Sequence, residues 1–428
     1  MHTDSQNNFF LNNIIFLITV SFLFTRVLVF VGLPSSINHI HYLLIFMSYL
    51  WSLAFIKDSQ NISLNKLTFL FVLFILVSTL YNKISKFNFI VYTLIILEPF
   101  FYYIFLIRVK LSLIDQKFIK KIIILFSSMN TLICYIQYFI FNLKHDDVQG
   151  LFINLGAGHH VAGFVATLTA TYVFFLTKLN NYIKFTIILI LVSVNFLSDA
   201  KQVVLSFVIA LFIFYLIKFF KTKNITYILK ILFNTGLMII LIYILYSINK
   251  VYFSPYFSKN IDEIKEGLDL KFSIFELFKY YHYSYLNNFF GLGPGQTTSR
   301  LALMIPDYQN FLFFNFSINE LTNIIWIFQQ SNYTTATSTG SSLFAPFFFW
   351  GGIYGDIGAA GVLIYLFLWQ QILKLNEYDE YSIFLVILVL LKGIVFNWPE
   401  EPPFILFIVS LLAIRFYEIK NSKDIKKL

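Results

Sequence analysis

The chain has 428 residues, of which 58% are hydrophobic and only 12% charged, and its mean hydropathy is +0.74. A soluble globule of this length needs more polar surface, so the composition excludes that class and indicates a membrane protein. The net charge of +9 does not indicate a nucleic-acid partner, because the lysines cluster in short segments between apolar runs, as the positive-inside bias of membrane insertion predicts.

Apolar runs recur along the chain near the roughly 20 residues that a helix needs to cross a bilayer. Each run is predicted to be helical, because hydrocarbon offers the backbone no other partner. About twelve spans are predicted, at residues 13–32, 39–57, 64–81, 88–107, 120–142, 158–177, 184–198, 202–219, 229–247, 353–373, 381–397 and 403–418. The predicted fold is an all-α polytopic membrane protein with helical blocks at 1–247 and 353–428 and a large insertion at 248–352. The single cysteine, Cys134, lies in an apolar run and excludes an intramolecular disulfide.

The orientation follows from the basic segments. Residues 108–121, 218–223 and 420–428 are the most basic, and twelve spans place them on one face, which the positive-inside rule makes cytoplasmic. The insertion at 248–352 is then predicted to be a large extracytoplasmic loop. Since structureless loops longer than about 15 residues are uncommon in compact proteins, this loop is expected to fold.

Within the loop, KFSIFELFKYYHYSYL (271–286) is predicted to be a helix on the membrane surface. Ile274 and Phe278 belong to its apolar stripe. Lys271 and His282 fall within about 20° of each other around the helix, because eleven residues are close to three turns. Both side chains are expected to point towards the lipid headgroups.

GLGPGQTTSR (291–300) follows this helix and is rich in glycine. A nucleotide-binding loop would need a strand before it, a helix after it and a nucleotide, and an outer compartment normally holds none. Two interpretations stay open. Gly291, Gly293 and Gly295 supply positive φ in a tight turn, or they let backbone amides approach an anionic lipid-linked substrate, with Arg300 as a forked phosphate ligand.

Polar residues also occur where a lipid environment makes them costly. His159 and His160 begin the sixth predicted span, where a histidine is more often a hydrogen-bonded helix-end residue than a catalyst. Asp199 and Lys201 lie at a break between two spans, and Lys201 either reaches the interface or binds an anion. Asp356 is read as a charge near a helix start, with a role as a base left open.

Four segments together resemble the O-antigen and capsular polysaccharide polymerases, which are related to the O-antigen ligases. They are GHHVAGFVATL, LSDAKQVVLSFVIALFIF, FFGLGPGQTTS and YGDIGAAGVLIYL, and the resemblance covers about residues 120–418. It implies a GT-C-like multi-pass glycosyltransferase of the bacterial inner membrane, which transfers a growing glycan from undecaprenyl pyrophosphate to an incoming lipid-linked repeat unit. It implies no nucleotide sugar, metal or other cofactor.

The resemblance also implies roles for particular residues. The family holds the pyrophosphate with arginines, and here the matching candidates are Lys201, Lys271 and Arg300. His160 and His282 are candidate bases. Ligases of the family carry a histidine near the end of the large loop, but QQSNYTTATSTGSSLFAP contains none, which favours a polymerase over the alternative of a ligase. A flippase or secondary transporter is the other alternative, although no internal repeat supports it. Whether a separate chain-length regulator is a partner is left open.

Overall fold

The computed structural model describes residues 2–56, 62–153, 157–230, 261–281, 284–308, 315–318, 321–324 and 347–427, together with residues 232, 236 and 243. Within this part of the chain every regular element is a helix, and no strand occurs. The α-helices are α1 (His2–Leu23), α2 (Thr25–Phe30), α3 (Ile40–Phe55), α4 (Ile62–Tyr81), α5 (Lys86–Arg108), α6 (Leu113–Phe139), α7 (Gly158–Leu176), α8 (Asn181–Leu197), α9 (Lys201–Thr222), α10 (Ile261–Tyr281), α11 (Tyr285–Phe290), α12 (Arg300–Tyr308), α13 (Phe349–Leu375), α14 (Glu380–Val395) and α15 (Pro402–Lys427). Short 3-10 helices occur at Ser35–His39, His145–Asp147 and Trp398–Glu400.

Seven of the described helices are long and apolar enough to cross a membrane, judged by length and composition. They are α4, α5, α6, α7, α9, α13 and α15. Shorter apolar helices occupy Leu11–Leu23 and Asn181–Leu197. Each coincides with a predicted span, so the all-α membrane class is confirmed. The predicted span at 229–247 lies largely outside the described residues, and a total of twelve spans stays a prediction.

The two ends of the helix bundle differ in chemistry. At one end, which we call the basic end, ion pairs join neighbouring helices: Lys120 with Glu418, Lys218 with Glu380, Arg415 with Asp379, and Lys423 with Glu377. The other end, the loop end, gathers the connections at 82–85, 198–200 and 396–401. Segments of the insertion contact these connections, as when the Ser85 amide donates to Ser317 Oγ over 2.8 Å. The basic segments and the insertion therefore lie at opposite ends.

Part of the insertion enters the helix bundle instead of lying outside it. Leu301 and Ile305 of α12 are fully buried in the main core, with the apolar faces of the spanning helices. Gln296, Thr297 and Thr298, just before α12, are also fully buried. The predicted extracytoplasmic loop thus contributes a buried segment to the membrane-embedded part of the molecule.

Helix α10 packs one of its faces on protein. Ile274 and Phe278 are buried in a small second core together with Phe348. Lys271, on the same helix, is buried and donates from Nζ to the Val395 carbonyl over 3.0 Å, with its ammonium 5.0 Å from the centre of the Phe348 ring. The expectation that Lys271 points towards lipid headgroups is therefore wrong. Its charge instead lies at the C-terminus of α14, where a cation is favoured by the helix dipole.

Candidate functional site

The segment 291–300, which we call the glycine segment, surrounds a carboxylate of the protein itself. The Gly295 amide donates to Asp356 Oδ2 over 2.9 Å, and the Gln296 amide donates to Asp356 Oδ1 over 3.1 Å. The Thr297 hydroxyl adds a third bond, of 2.6 Å, to Oδ1. The two backbone amides that a phosphate would have used are therefore occupied by Asp356.

The glycines are explained by the close approach of the glycine segment to α13. Gly291, Gly293 and Gly295 have φ angles of +73°, +103° and +74°, as the turn interpretation predicts. A Cβ atom on Gly291 would lie 2.3 Å from the carbonyl carbon of Asp356, so a side chain would separate the glycine segment from α13. On the α13 side, a Cβ on Gly352 would lie 2.9 Å from the Ser299 nitrogen. Backbone packs directly against backbone here.

Immediately after the glycine segment, Arg300 meets two consecutive carboxyl residues. Its backbone amide donates to Glu400 Oε2 over 2.7 Å. Its Nη1 atom donates to the Glu400 carbonyl and to Glu401 Oε2, each over 2.6 Å. Among the described residues, neither Nε nor Nη2 of Arg300 donates a hydrogen bond, and the Arg300 side chain is 15% exposed. These two nitrogens form the flat, forked edge of the guanidinium that matches a phosphate or carboxylate.

The surroundings change the acidity of these groups. Burial raises the pKa of the Glu400 carboxyl to about 8, although the hydrogen bond from the Arg300 amide opposes this rise. Burial alone would lower the pKa of the Arg300 guanidinium, but nearby carboxylates, Glu401 above all, more than offset burial and raise it. Arg300 is therefore permanently charged. The neighbouring carboxyl group of Glu400 binds its proton unusually tightly.

Helices α3 and α5 lie beside Arg300. Glu98 of α5 is hydrogen-bonded to Nδ1 of His41, and Arg108, at the end of α5, donates from Nη2 to the Ser52 carbonyl over 3.2 Å. The residue that comes later in α3 contacts the residue that comes later in α5. The two helices therefore lie side by side and run in the same direction. Helix α3 therefore begins beside the middle of α5.

Glu98 lies below the loop end. Asn88, near the start of α5, donates to the Pro294 carbonyl over 2.9 Å. Glu98 lies ten residues further along the same helix, a distance of about 15 Å at 1.5 Å per residue. The charges of Arg300 and Glu401, at the loop-end connection 396–401, act on Glu98. We call Arg300, Glu400 and Glu401 the Arg300 cluster.

A second polar group lies on the other side of the 3-10 turn Trp398–Glu400. The His160 ring meets the Trp398 ring edge-on, with 5.6 Å between the centroids. Lys392 of α14 is fully buried; its Nζ donates to the Gln202 carbonyl over 2.9 Å and lies 5.9 Å from the centre of the Trp398 ring. Lys201 lies beside Gln202 and pairs with Asp199 over 2.8 Å. We call His160, Lys201 and Lys392 the Lys392 cluster.

The predicted site residues are thus divided among three places. His160 lies against Trp398, and Lys201 begins the helix whose Gln202 carbonyl accepts from Lys392, so these two share one place; Arg300 bonds Glu400, at the other end of the Trp398–Glu400 turn. Lys271 is buried in the contact of α10 with the end of α14. His282 lies outside the described residues, so its role as a base stays a prediction. The described residues contain no group of three or more histidine, cysteine or acidic side chains that could hold a metal ion.

Three residues of these clusters were missed in the sequence. Glu400 and Glu401 lie in NWPEEP, and two adjacent acids between apolar helices are a signal for a functional or paired group in a membrane protein. Lys392 lies in LLKGIVF, where a single lysine near the end of a predicted span gives the same signal. Both signals are weak by themselves, because long cationic side chains at span ends often only reach the interface.

Comparison with known proteins adds no relative. No protein family model matches the chain, and no curated protein matches it.

Proposed function

We propose that the chain is a polymerase of lipid-linked oligosaccharide repeat units. It transfers the growing glycan from undecaprenyl pyrophosphate to a sugar hydroxyl of an incoming repeat unit, in the synthesis of O-antigen, capsule or exopolysaccharide. The observation that carries the proposal is the Arg300 cluster, which combines a guanidinium whose forked edge makes no bond to the described residues with two carboxyl groups. Its position beside the loop-end connection 396–401 suits a substrate that is anchored in lipid.

The reaction needs two kinds of group. The acceptor oxygen forms a bond to the anomeric carbon, the bond from that carbon to the phosphate oxygen breaks, and the lipid pyrophosphate leaves with the electron pair. Arg300 stabilises the charge that develops on the leaving pyrophosphate through its Nε and Nη2 hydrogens. Glu401 is bonded to Nη1 of the same guanidinium and is 17% exposed, so it takes the proton of the acceptor hydroxyl.

The first test is deletion of the gene, followed by gel electrophoresis of the surface polysaccharide. Loss of a polymerase removes long chains while single repeat units still reach the surface. Loss of a ligase would instead leave polymer on its lipid carrier, and loss of a flippase would trap single units inside. An unchanged ladder of chain lengths in the deletion strain contradicts the proposal.

The second test restores the gene with single substitutions. Arg300→Lys keeps the charge but loses the forked edge, and we expect chain extension to fall by about 100-fold, the usual effect of removing one preorganised donor from an oxyanion site. Arg415→Lys is the matched control, because Arg415 also pairs with carboxylates but at the basic end. Full-length chains in both variants, with equal amounts of protein in the membrane, would show that Arg300 has no catalytic role.

A further inference from the structure

Tyr42 is a buried tyrosine whose hydroxyl has no hydrogen-bond partner among the described residues. It lies in the first turn of α3 and is 7% exposed. A hydroxyl that leaves water on folding and gains no bond in return costs free energy, so such a group in a native protein indicates a ligand or a bound water. The Tyr42 hydroxyl is therefore a candidate for contact with a substrate.

The packing of the helices brings Tyr42 to the surroundings of Arg300. Helix α3, which carries Tyr42, and helix α12, which begins at Arg300, both pack on α5. Helix α15, which follows Glu401, packs on α5 as well. The charges of Arg300, Glu98 and Glu401 all act on the Tyr42 hydroxyl. A buried donor thus lies near the guanidinium whose forked edge makes no bond to the described residues.

Two neighbouring histidines hold the Tyr42 ring in place. Its centroid lies 4.1 Å from that of the His41 ring and 6.2 Å from that of the His39 ring, which is nearly parallel to it. Nδ1 of His41 is hydrogen-bonded to Glu98, and this bond ties the first turn of α3 to the middle of α5. His41 and Glu98 are therefore positioning residues for Tyr42. A donor that is in place before the substrate arrives stabilises developing charge without a cost of reorganisation.

We propose that Tyr42 is a further catalytic residue of the Arg300 site. When the bond from the anomeric carbon to the phosphate oxygen breaks, that oxygen keeps the electron pair, and the Tyr42 hydroxyl donates a hydrogen bond to the departing phosphate group while keeping its own proton. A phenol ordinarily loses its proton only at about pH 10, so it is a donor at neutral pH. This inference rests on the proposed function. The sequence resemblance, which covers about residues 120–418, implies nothing about Tyr42.

The test is Tyr42→Phe, which removes one oxygen atom and leaves the ring. In the complemented deletion strain we expect chain extension to fall by about ten-fold or more, because a preorganised donor to the developing charge is lost. The purified full-length variant in nanodiscs of zwitterionic lipid should bind inorganic pyrophosphate about ten-fold more weakly, as measured by isothermal titration calorimetry. Its melting temperature without pyrophosphate should not fall, because the hydroxyl makes no bond to the described residues.

The matched control is Tyr49→Phe. Tyr49 lies about two turns further along α3 and is also 7% exposed, but its ring packs on Phe101, further from the loop end. This variant should keep native chain extension and native pyrophosphate binding.

Three results would overturn the inference. In a strain whose long chains depend on the gene, these are native chain extension or native pyrophosphate binding in Tyr42→Phe, or a lower melting temperature, which would make the hydroxyl a structural group. If the deletion strain keeps its long chains while pyrophosphate binding depends on Tyr42, the residue is still a phosphate ligand, and it is the proposed function that fails.

Discussion

At Asp356 a carboxylate takes the position that a phosphate occupies in a glycine-rich anion-binding loop. It accepts three hydrogen bonds from consecutive residues of the glycine segment, and Arg300 follows that segment directly. The position of the Arg300 backbone therefore depends on Asp356, although the two side chains bind different partners. Asp356 is thus a positioning residue: it holds the glycine segment, and with it the Arg300 backbone, in place.

Asp356→Asn tests this dependence. An amide has one oxygen and one NH2 group, so in either orientation the NH2 group faces the N–H of Gly295 or of Gln296, and a buried donor loses its acceptor. We expect a loss of about 1 to 3 kcal/mol in the free energy of unfolding and a clear drop in chain extension. Thr297→Val removes one hydroxyl donor, which contacts both Asp356 Oδ1 and the Gly352 carbonyl, and should cost less. Thermal unfolding and polysaccharide gels measure the two effects, and an Asn variant equal to the native protein in both would contradict this role.

Glu400 gives the Arg300 cluster a pH dependence. Its pKa is raised from 4.5 to about 8 by burial, so between these values the folded chain binds more protons at this group than the unfolded chain. The stability that the native protein has over Glu400→Gln should therefore fall as the pH rises from about 5 to 8, and level off above this range. Thermal unfolding of both proteins at pH 5, 7 and 9 measures the difference. A difference that is independent of pH would contradict the assignment.

At the scale of the elements, α13 is bent where the glycine segment passes it. Gly358 has φ +68° inside the helix, and a Cβ atom there would lie 2.3 Å from the Phe289 carbonyl oxygen. The bend lets the first part of α13, which carries Asp356, follow the glycine segment while the second part continues as a span. Position 358 requires glycine for two reasons: its φ angle is positive, and a side chain there would clash with the backbone.

Gly358→Ala should therefore unfold or displace the junction between α13 and the glycine segment. We expect destabilisation of more than about 1 kcal/mol, because left-handed strain and a clash with backbone act together. Ala359→Ser, at the exposed neighbouring position, is the control and should be close to neutral. The melting temperature in detergent measures both. A Gly358→Ala protein with the native melting temperature would show that the bend is not required.

At the scale of the molecule, the helix bundle has a basic end and a loop end, and their placement across the membrane can be measured. The only cysteine, Cys134, is buried, so an introduced cysteine is the accessible one. Tyr285→Cys, at a position that is 94% exposed near the loop end, should react with a membrane-impermeant maleimide in spheroplasts. Thr222→Cys, exposed at the end of α9, should react only after lysis. The reverse pattern would invert the predicted orientation.

The helices themselves were predictable, because an apolar run near the length of a bilayer has few other solutions. The turn in the glycine segment was also predictable from its glycines, whose φ angles are positive. The partner of that segment was not, since Asp356 is distant in sequence and its contact depends on tertiary packing. Lys271 was misplaced for a related reason: an apolar stripe suits a lipid surface and a protein interior equally, and α10 packs on protein.

In the proposed reaction, the carboxylate of Asp356 also bears on the energetics of each cycle. A loop that closes on a phosphate only when substrate arrives must lose conformational entropy at every turnover, and its affinity falls accordingly. In this chain the amides of Gly295 and Gln296 are already ordered by a covalently attached anion. That ordering occurs once, during folding. Under the proposed function, successive substrates meet Arg300 on a support that does not have to reform between them.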